Sequence, residues 1–292
     1  MRFGVREICN VVFKATTERK IGSKTFKKGE PVMYFDSLKT STMEQAVTTV
    51  YAQGGRGNTR LVAWEGEKTL TFTMEDALIS EMGLAILAGA RLYEAGTDDT
   101  MLVHVTEVTT TKAVTKAAAT KASNKPAVKF YALEMDDIGN VIGDPIEVSI
   151  DTNKAITAVD TSKEIKDGVA YLVDYYIEKA TGAYQIDIEP QSFGGNFYIE
   201  ADTLFRDTDG ADHAAQFVIP NGKIQSNFTL TMASSGDPST FTFTVDAFPG
   251  YVNGDLTKKV LSTIQILKDD AEVGIDDPAG DKEDSVEIVV AG

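Results

Sequence analysis

The stretch that decides the fold runs Tyr51-Ala-Gln-Gly-Gly-Arg-Gly-Asn-Thr-Arg-Leu-Val-Ala-Trp64. Its glycine cluster lets the backbone take positive φ values, and Asn58 extends the same turn chemistry, so a loop is predicted at residues 54–58. The preceding residues, from about Lys39 to Tyr51, are rich in Thr and Val, and β-branched side chains favour a strand. A helical turn at Met43-Glu-Gln-Ala-Val47 is the alternative.

The residues after the loop alternate in the way that half-buried strands do. Leu61 to Trp64 predicts one strand, Glu65-Gly66-Glu67 predicts a turn, and Leu70 to Thr73 predicts a second strand. Together these three segments predict a short hairpin.

A helix is predicted next. Thr73-Met-Glu-Asp76 fits a capping box that would start a helix at Met74, and Ser80 fits the cap of a further turn. The apolar residues that follow leave little polar surface before Gly89, which predicts the stop. We therefore expect a helix near residues 75–88 that is buried on most sides.

This block resembles the tail tube proteins of tailed bacteriophages, the major tail protein family. The resemblance rests on Gly54-Gly-Arg-Gly-Asn58, the strand that contains Trp64, and Glu75-Asp-Ala-Leu-Ile-Ser80 before an apolar helix. A second block, the segments Phe197–Asp207, Gln216–Ile224 and Gly236–Phe243, is similar to the later strands of the same proteins. The two blocks together cover about half of the chain.

The resemblance implies a mainly β fold: a tail-tube-like β-sandwich or barrel of antiparallel sheets with one flanking α-helix. The spacing of the short strands in residues 128–190 adds a small inserted β-sandwich module to this expectation. It also implies a structural virion protein of the phage tail, made in the host cytoplasm, that self-assembles into stacked rings, with six subunits per ring, around the DNA ejection channel. The implied partners are further copies of the chain, a tape measure protein, baseplate and tail terminator proteins, and a tail sheath if the tail contracts. Double-stranded DNA would pass without specific binding.

Alternating apolar residues predict further strands from residues 3 to 13, at Phe228–Met232 and at Val260–Leu267, and Gly236-Asp-Pro238 predicts a turn.

Composition shifts divide the chain into five segments. Residues 109–129 carry five lysines without any acidic residue, which predicts a linker or mobile loop. The short strands after this segment predict a separate module, whose strands could instead extend the main sheets. The predicted boundaries are 1–110 for the first part of the core, 111–127 for the linker, 128–190 for the inserted module, 191–267 for the second part of the core, and 268–292 for an acidic tail.

The charge of the chain argues against nucleic-acid binding. Asp and Glu exceed Lys and Arg by 16, and surfaces that neutralise phosphates are typically basic. The acidic surplus is also explained by solubility alone. The last 25 residues hold nine acidic residues and two lysines, so they account for −7 of this net charge.

No pattern of catalytic or ligand-binding residues stands out. The loop at residues 54–58 lacks the Gly-Lys-Ser/Thr ending of a phosphate-binding loop, and one Cys with two separated His does not favour a zinc site or a nucleophilic triad. Asp207-Thr-Asp-Gly-Ala-Asp212 partly fits a calcium loop but lacks the distal Glu. We therefore predict no enzyme, no cofactor and no metal. No apolar run is long enough to cross a membrane.

Acidic side chains on the predicted sheet are the candidates for the channel lining: Glu44, Glu65, Glu67, Glu200 and Asp202. They would repel the phosphates of passing DNA. The alternative function is a surface-displayed β-sandwich that recognises a glycan or a receptor, which the middle module and the acidic tail also suit.

Overall fold

The computed structural model of the chain describes residues 2–5, 7–122, 126–230, 232, 234–235, 240–252 and 254–267. The predicted turn at residues 236–238 and the acidic tail lie outside them. Eighteen strands and one helix are assigned in the described part. In chain order they are β1 Phe3–Val5, β2 Asn10–Ala15, β3 Arg19–Ile21, β4 Lys24–Phe26, β5 Pro31–Phe35, β6 Leu38–Gly54, β7 Thr59–Asp76, α1 Glu81–Leu87, β8 Arg91–Glu94, β9 Met101–Thr109, β10 Phe130–Met135, β11 Val141–Ile150, β12 Ile156–Ala158, β13 Tyr171–Lys179, β14 Tyr184–Asp187, β15 Asn196–Asp207, β16 Asp212–Ile224, β17 Phe241–Ala247 and β18 Thr263–Ile266.

The chain divides into two units. The first contains the described residues of 1–91 and 188–292, and the second is Leu92–Asp187. The structure is mainly β with several antiparallel sheets, as the sequence predicts.

An antiparallel sheet of nine strands forms the first unit. Its main path is β5-β2-β15-β16-β17-β7-β6, with β1 paired to the end of β15 and β18 paired to β16. Strand β15 alternates buried and half-exposed residues along its length, which is the pattern of a sheet with one face on a core. Rings from separated strands meet in that core, since Phe35 of β5 lies 4.8 Å from Phe243 of β17. The sheet is therefore curved around its aromatic side chains.

The predicted short hairpin is wrong in one respect. The chain does not turn at Glu65-Gly66-Glu67; instead, residues 59–76 form the single strand β7, which pairs with β6 from Leu38 to Gly54. The extra residue is absorbed by a bulge in which Gly66 and Glu67 oppose Thr48. The predicted loop is confirmed, because Gly55, Gly57 and Asn58 all have positive φ values.

The helix begins later than the capping box predicts. Thr73 to Asp76 are the last residues of β7, where they pair with β17, and the Asp76 carboxylate accepts hydrogen bonds from Ser37 Oγ and the Leu78 N–H. The Ser80 side chain caps α1 by accepting the Gly83 N–H at 3.0 Å, as expected. The predicted stop is also confirmed. Gly89 has a φ of +62°, and a Cβ there would lie 2.5 Å from the Phe193 backbone.

Three other strand predictions have separate outcomes. Thr263–Ile266 confirms the strand expected within residues 260–267. The alternation at Phe228 and Leu230 does not form a strand, because residues 225–230 pair with no neighbour in a ladder. The strand predicted from residues 3 to 13 is divided into β1 and β2.

The second unit is built on a five-stranded antiparallel sheet in the order β12-β11-β10-β13-β9. Strand β9, which the sequence places in the first part of the core, pairs along its whole length with β13 and so lies in this unit. A two-stranded ribbon of β8 and β14 stands at the two points where the chain enters and leaves the unit. Among the described residues the core is formed by one sheet and the segments that cover it, where the sequence predicts a two-sheet sandwich.

The lysine-rich segment is one of those covering segments. Val114 and Ala122 are buried, and the backbone is held by hydrogen bonds from the Val114 N–H to Lys154 and from the Ala119 N–H to Tyr176. The reading of this segment as a mobile linker is therefore wrong for its described residues. The described lysines of this segment are exposed to solvent, whereas Ala and Val residues beside them pack on the core.

Replacing Ile86 by Asp should destabilise the first unit by at least about 3 kcal/mol, because it removes a buried aliphatic side chain and leaves an uncompensated charge. Glu81→Lys, at the exposed start of the same helix, is the control and should have little effect. Thermal unfolding followed by circular dichroism measures both. Equal melting temperatures for the two variants would contradict the burial of α1.

Replacing residues 95–183 by a short Gly/Ser linker should leave the first unit folded, because β8 and β14 already bring the two ends of the deletion together. Removing residues 112–190 is the contrasting deletion, since it keeps β9 but removes its partner β13, and it should aggregate. Soluble yield and a cooperative thermal transition distinguish the two. Loss of folding in the first deletion would show that the first unit depends on the second.

Candidate assembly surface

The outer half of the β6–β7 hairpin extends from the sheet, and we call residues 44–69 the arm. In the part of the chain that the structure describes, nothing covers it. All of its residues are exposed except Ala52 and Gly54, which are half-buried. The ladder is continuous to the Gly54–Thr59 pair, whereas β17 pairs with β7 only between Thr71 and Asp76. Both edges of the arm are therefore open among the described residues.

The two faces of the arm differ in chemistry. On one face Val50 lies opposite Trp64 and Ala52 lies opposite Val62. These side chains are large and apolar, yet Val50, Val62 and Trp64 are 65%, 49% and 56% exposed. Leu61, 65% exposed, is the extra residue of a second bulge beside them. An isolated two-stranded ribbon is marginally stable in water, and a contiguous exposed apolar patch marks an interaction site.

The opposite face of the arm is more polar. The Arg60 guanidinium lies 4.1 Å from the centroid of the Tyr51 ring, and Asn58 donates a hydrogen bond to Gln53. Such a contact between a cation and an aromatic ring contributes about 0.5–1 kcal/mol at an exposed site. It orders the tip of the arm without covering the apolar face.

The bulge at the base of the arm is tightly built. Thr48 Oγ1 accepts the Glu67 N–H at 2.8 Å. A Cβ added to Gly66 would lie 2.7 Å from the same Thr48 oxygen, so only glycine fits without displacement. Because two residues of β7 oppose one of β6, the side chains of β7 change faces at this point.

The bulge separates the acidic residues that the sequence groups together. Glu44, Glu200 and Asp202 share the sheet face opposite the aromatic core, which we call the outer face. Glu65 pairs with Thr49, five residues from Glu44 along β6, so it lies on the other face, and Glu67 lies in the bulge. The row of directly opposite residues that links the strands on the outer face is Glu44, Thr71, Asp246, Lys223 and Asn196.

Two further carboxylates lie on the outer face but are not among the candidates predicted from the sequence. Asp246 accepts from Gln225 at 3.0 Å, and Glu75 accepts from Thr40 Oγ1 at 3.4 Å. Both lie in strands with alternating Thr residues, a signal that marks an exposed face but not its charge. Part of the acidity is neutralised locally, because Glu200 forms an ion pair with Lys14.

A cleft of about 650 Å³ opens at the base of the arm. Its apolar lining comes from four elements: the N-terminal strand, the base of the hairpin, β16 and the segment at β18. The residues that supply this apolar surface are Val5, Met43, Leu70, Phe72, Phe217 and Ile264. Cys9 lies at its floor, where burial raises the pKa of the thiol, and Glu7 and Lys68 line it as the charged groups.

The two histidines serve local contacts. His213 Nε2 lies 3.0 Å from Asp207, in the turn between β15 and β16, and this contact holds the pKa of Asp207 below its ordinary value. The Asp207 carboxylate also accepts the N–H groups of Asp209 and Ala211, so the segment considered as a calcium loop is a hairpin turn. His104 lies 2.8 Å from Asp174 on an exposed surface.

Within the described ranges no group of three or more His, Cys, Asp or Glu side chains is placed to hold a metal ion. In the same part of the chain, no helix has the length and apolarity needed to cross a membrane.

The model of the YomU/Tube protein family matches residues 19–260 of the chain. That range includes the arm, the entire second unit and all strands of the outer face except β1, β2 and β18. A comparison with curated proteins finds no match.

Trp64→Asp should change the free energy of unfolding by no more than about 0.5 kcal/mol, because Trp64 is exposed on the arm of a single copy. Leu70→Asp, on the same strand but 7% exposed, should unfold the first unit. Thermal unfolding followed by circular dichroism measures the stability of both variants, with dilute protein so that the chain is measured as a single copy. A large loss of stability in the Trp64 variant would mean that the arm packs on its own subunit.

Proposed function

Since the chain belongs to the YomU/Tube protein family, we propose that it is the repeating subunit of a phage tail tube, which self-assembles into stacked rings around the channel for DNA ejection. The family membership supports a structural role in the virion tail and points to a non-enzymatic one. The observation that carries the proposal of self-assembly is the arm, whose apolar face is covered by none of the residues that the structure describes.

The energetics of the arm favour assembly through several contacts at once. Full burial of a large apolar side chain contributes about 1.5–3 kcal/mol, and the side chains at Val50, Leu61, Val62 and Trp64 are about half exposed. Covering them would therefore contribute roughly 3–6 kcal/mol, against an association cost of about 4–15 kcal/mol. The free energy gained from one such contact is therefore too small to hold two subunits together stably. Ring closure, in which each subunit makes two, supplies the cooperativity that a stable tube requires.

Open strand edges support the same proposal. Strand β6 ends the sheet path, and in the part of the chain that the structure describes no strand pairs with its other edge. Unpaired N–H and C=O groups along such an edge are a template for a strand of a neighbouring subunit. Rings of six follow from the resemblance to tail tube proteins, since the interface alone does not determine the number.

The outer face supports a role in DNA passage. Five carboxylates, those of Glu44, Glu75, Glu200, Asp202 and Asp246, outnumber the lysines at positions 14 and 223 on this face. Arg206 and Asp212, on the same face, form an ion pair with each other and leave this surplus unchanged. Facing a channel, this surplus would repel phosphates over about 8–10 Å at physiological salt, so that DNA moves through without adhering. The same acidity would be explained by solubility if this face lay on the outside.

The remaining partners are proposed from the family. A tape measure protein would fill the channel before ejection, baseplate and tail terminator proteins would close the two ends, and a sheath would surround the tube if the tail contracts. Synthesis in the host cytoplasm would precede incorporation into the virion.

Negative-stain electron microscopy of the concentrated, purified chain tests self-assembly. Hollow rings or tubes are expected for the unmodified chain, and Trp64→Asp should remain a monomer. Ile138→Asp, at an exposed apolar residue of the second unit, is the matched control and should assemble. A folded chain that stays monomeric at every concentration would refute the proposal.

Reversing charge on the outer face should make assembled tubes bind DNA. Glu44→Lys with Asp202→Lys changes the charge by +4 on that face, as counted from the two substitutions, and binding to double-stranded DNA should appear at low salt and fall steeply as salt rises. Asp98→Lys with Asp167→Lys makes the same change at exposed positions of the second unit and is the control. Co-sedimentation of DNA with tubes measures both. Equal behaviour of the two pairs would show that the outer face has no special exposure to DNA.

A further inference from the structure

We propose that the cleft at the base of the arm receives the apolar face of the arm of a second copy. This inference rests on the proposed function and specifies the contact through which the subunits would assemble. The two surfaces lie on the same unit of the chain but at opposite ends of the hairpin, so each copy would give its arm to one neighbour and receive an arm from another.

The cleft has the composition of a receiving surface. Its floor is formed by well-buried side chains, Leu70, Phe72 and Cys9, which continue the core of the first unit outward. Its walls are incomplete, since Val5 and Ile264 line it and yet remain 61% and 54% exposed. A cavity of about 650 Å³ with a floor of this kind falls in the size range of sites that hold a few large side chains.

The arm of the same copy cannot fill the cleft. Leu70 at the cleft and Arg60 near the tip belong to one strand, and ten residues of extended chain span roughly 33 Å. The ladder with β6 is continuous over this length, so the arm cannot fold back without breaking its hydrogen bonds. The complementary arm must therefore come from another molecule.

Charge complementarity favours a second copy as that molecule. Residues 49–64 contain Arg56 and Arg60 and no acidic residue, on a chain whose net charge is −16. The tip of the arm is thus a basic element that an acidic copy of the same chain attracts. Glu7 lines the cleft and has the charge opposite to that of the arginines at the tip of the arm.

A contact between two different patches of identical subunits is heterologous, so it repeats from copy to copy. It closes into a ring or continues as a helical stack, according to the rotation between neighbours. The geometry of a single copy thus contains both halves of an interface that propagates, which is the property that a tube subunit needs.

The fluorescence of Trp64 provides a direct test, because it is the single tryptophan of the chain. On assembly its emission should shift to shorter wavelength and its quenching by acrylamide should fall by several fold, since the indole leaves water. Val5→Asp places a charge in the cleft at an exposed position and should raise the concentration for half-assembly about tenfold or more, which corresponds to about 1.4 kcal/mol. Ile138→Asp is the control with the same chemical change away from the first unit.

Cysteine cross-linking locates the contact. In the double variant Leu61→Cys with Glu7→Cys, mild oxidation of assembled protein should give a ladder of disulfide-linked oligomers, whereas either single variant should give none beyond background. All of these variants are made together with Cys9→Ala, because the Cys9 thiol lines the same cleft and could otherwise pair with an introduced cysteine. Tubes in which Trp64 stays open to acrylamide, or in which the double variant does not cross-link, would overturn the cleft as the seat and leave the proposed function standing. Absence of any assembly would refute the function itself. A cross-linked dimer that does not extend would mean a reciprocal contact and would also overturn the inference.

Discussion

The pairing of β6 with β7 positions both the core and the exposed surface of the first unit. One continuous ladder of hydrogen bonds begins in the buried core and ends in the solvent-exposed arm. At its inner end Leu70, Phe72 and Met74 are buried in the aromatic core of the first unit. At its outer end Val50 and Trp64 face solvent. The core fixes the direction of the strands, and the backbone hydrogen bonds carry that direction outward. The arm is therefore held in place by a core that it does not itself help to form.

The bulge of Gly66 and Glu67 against Thr48 determines what each face of the arm presents. Without it, the alternation of β7 would continue unchanged, and Glu65 would lie on the same face as Glu44. With it, Trp64 and Val50 form an apolar face beyond the acidic surface at the base of the hairpin. A single additional residue thus separates the apolar face of the arm, which suits a neighbouring subunit, from the acidic surface at its base, which would repel a polyanion.

The second unit is one continuous stretch of chain, whereas the first is made of two separate stretches. It enters through β8 and leaves through β14, and these strands pair, so the ends of the insertion lie together. Its core is completed by the segment that contains Val114 and Ala122, with lysines between them. The charge of that segment obscures its packing role, because the small apolar residues that face the core are spaced too irregularly to give a recognisable period.

Features that depend on local chemistry can be predicted from the amino-acid sequence. The glycine loop, the Ser80 cap, the Gly89 stop and the alternating strands β15 and β16 all follow from backbone freedom or period-two patterns. Glu65-Gly66-Glu67 has the composition of a turn, yet it forms a bulge, because β6 pairs with β7 on both sides of it. Thr73 to Asp76 has the spacing of a capping box, yet β17 pairs with it first. Which carboxylates share a face, where the cleft opens and which strands remain unpaired were decided only by tertiary structure. The physical reason is that a strand is completed by hydrogen bonds to residues distant in the chain, so its length and its faces are properties of the pair.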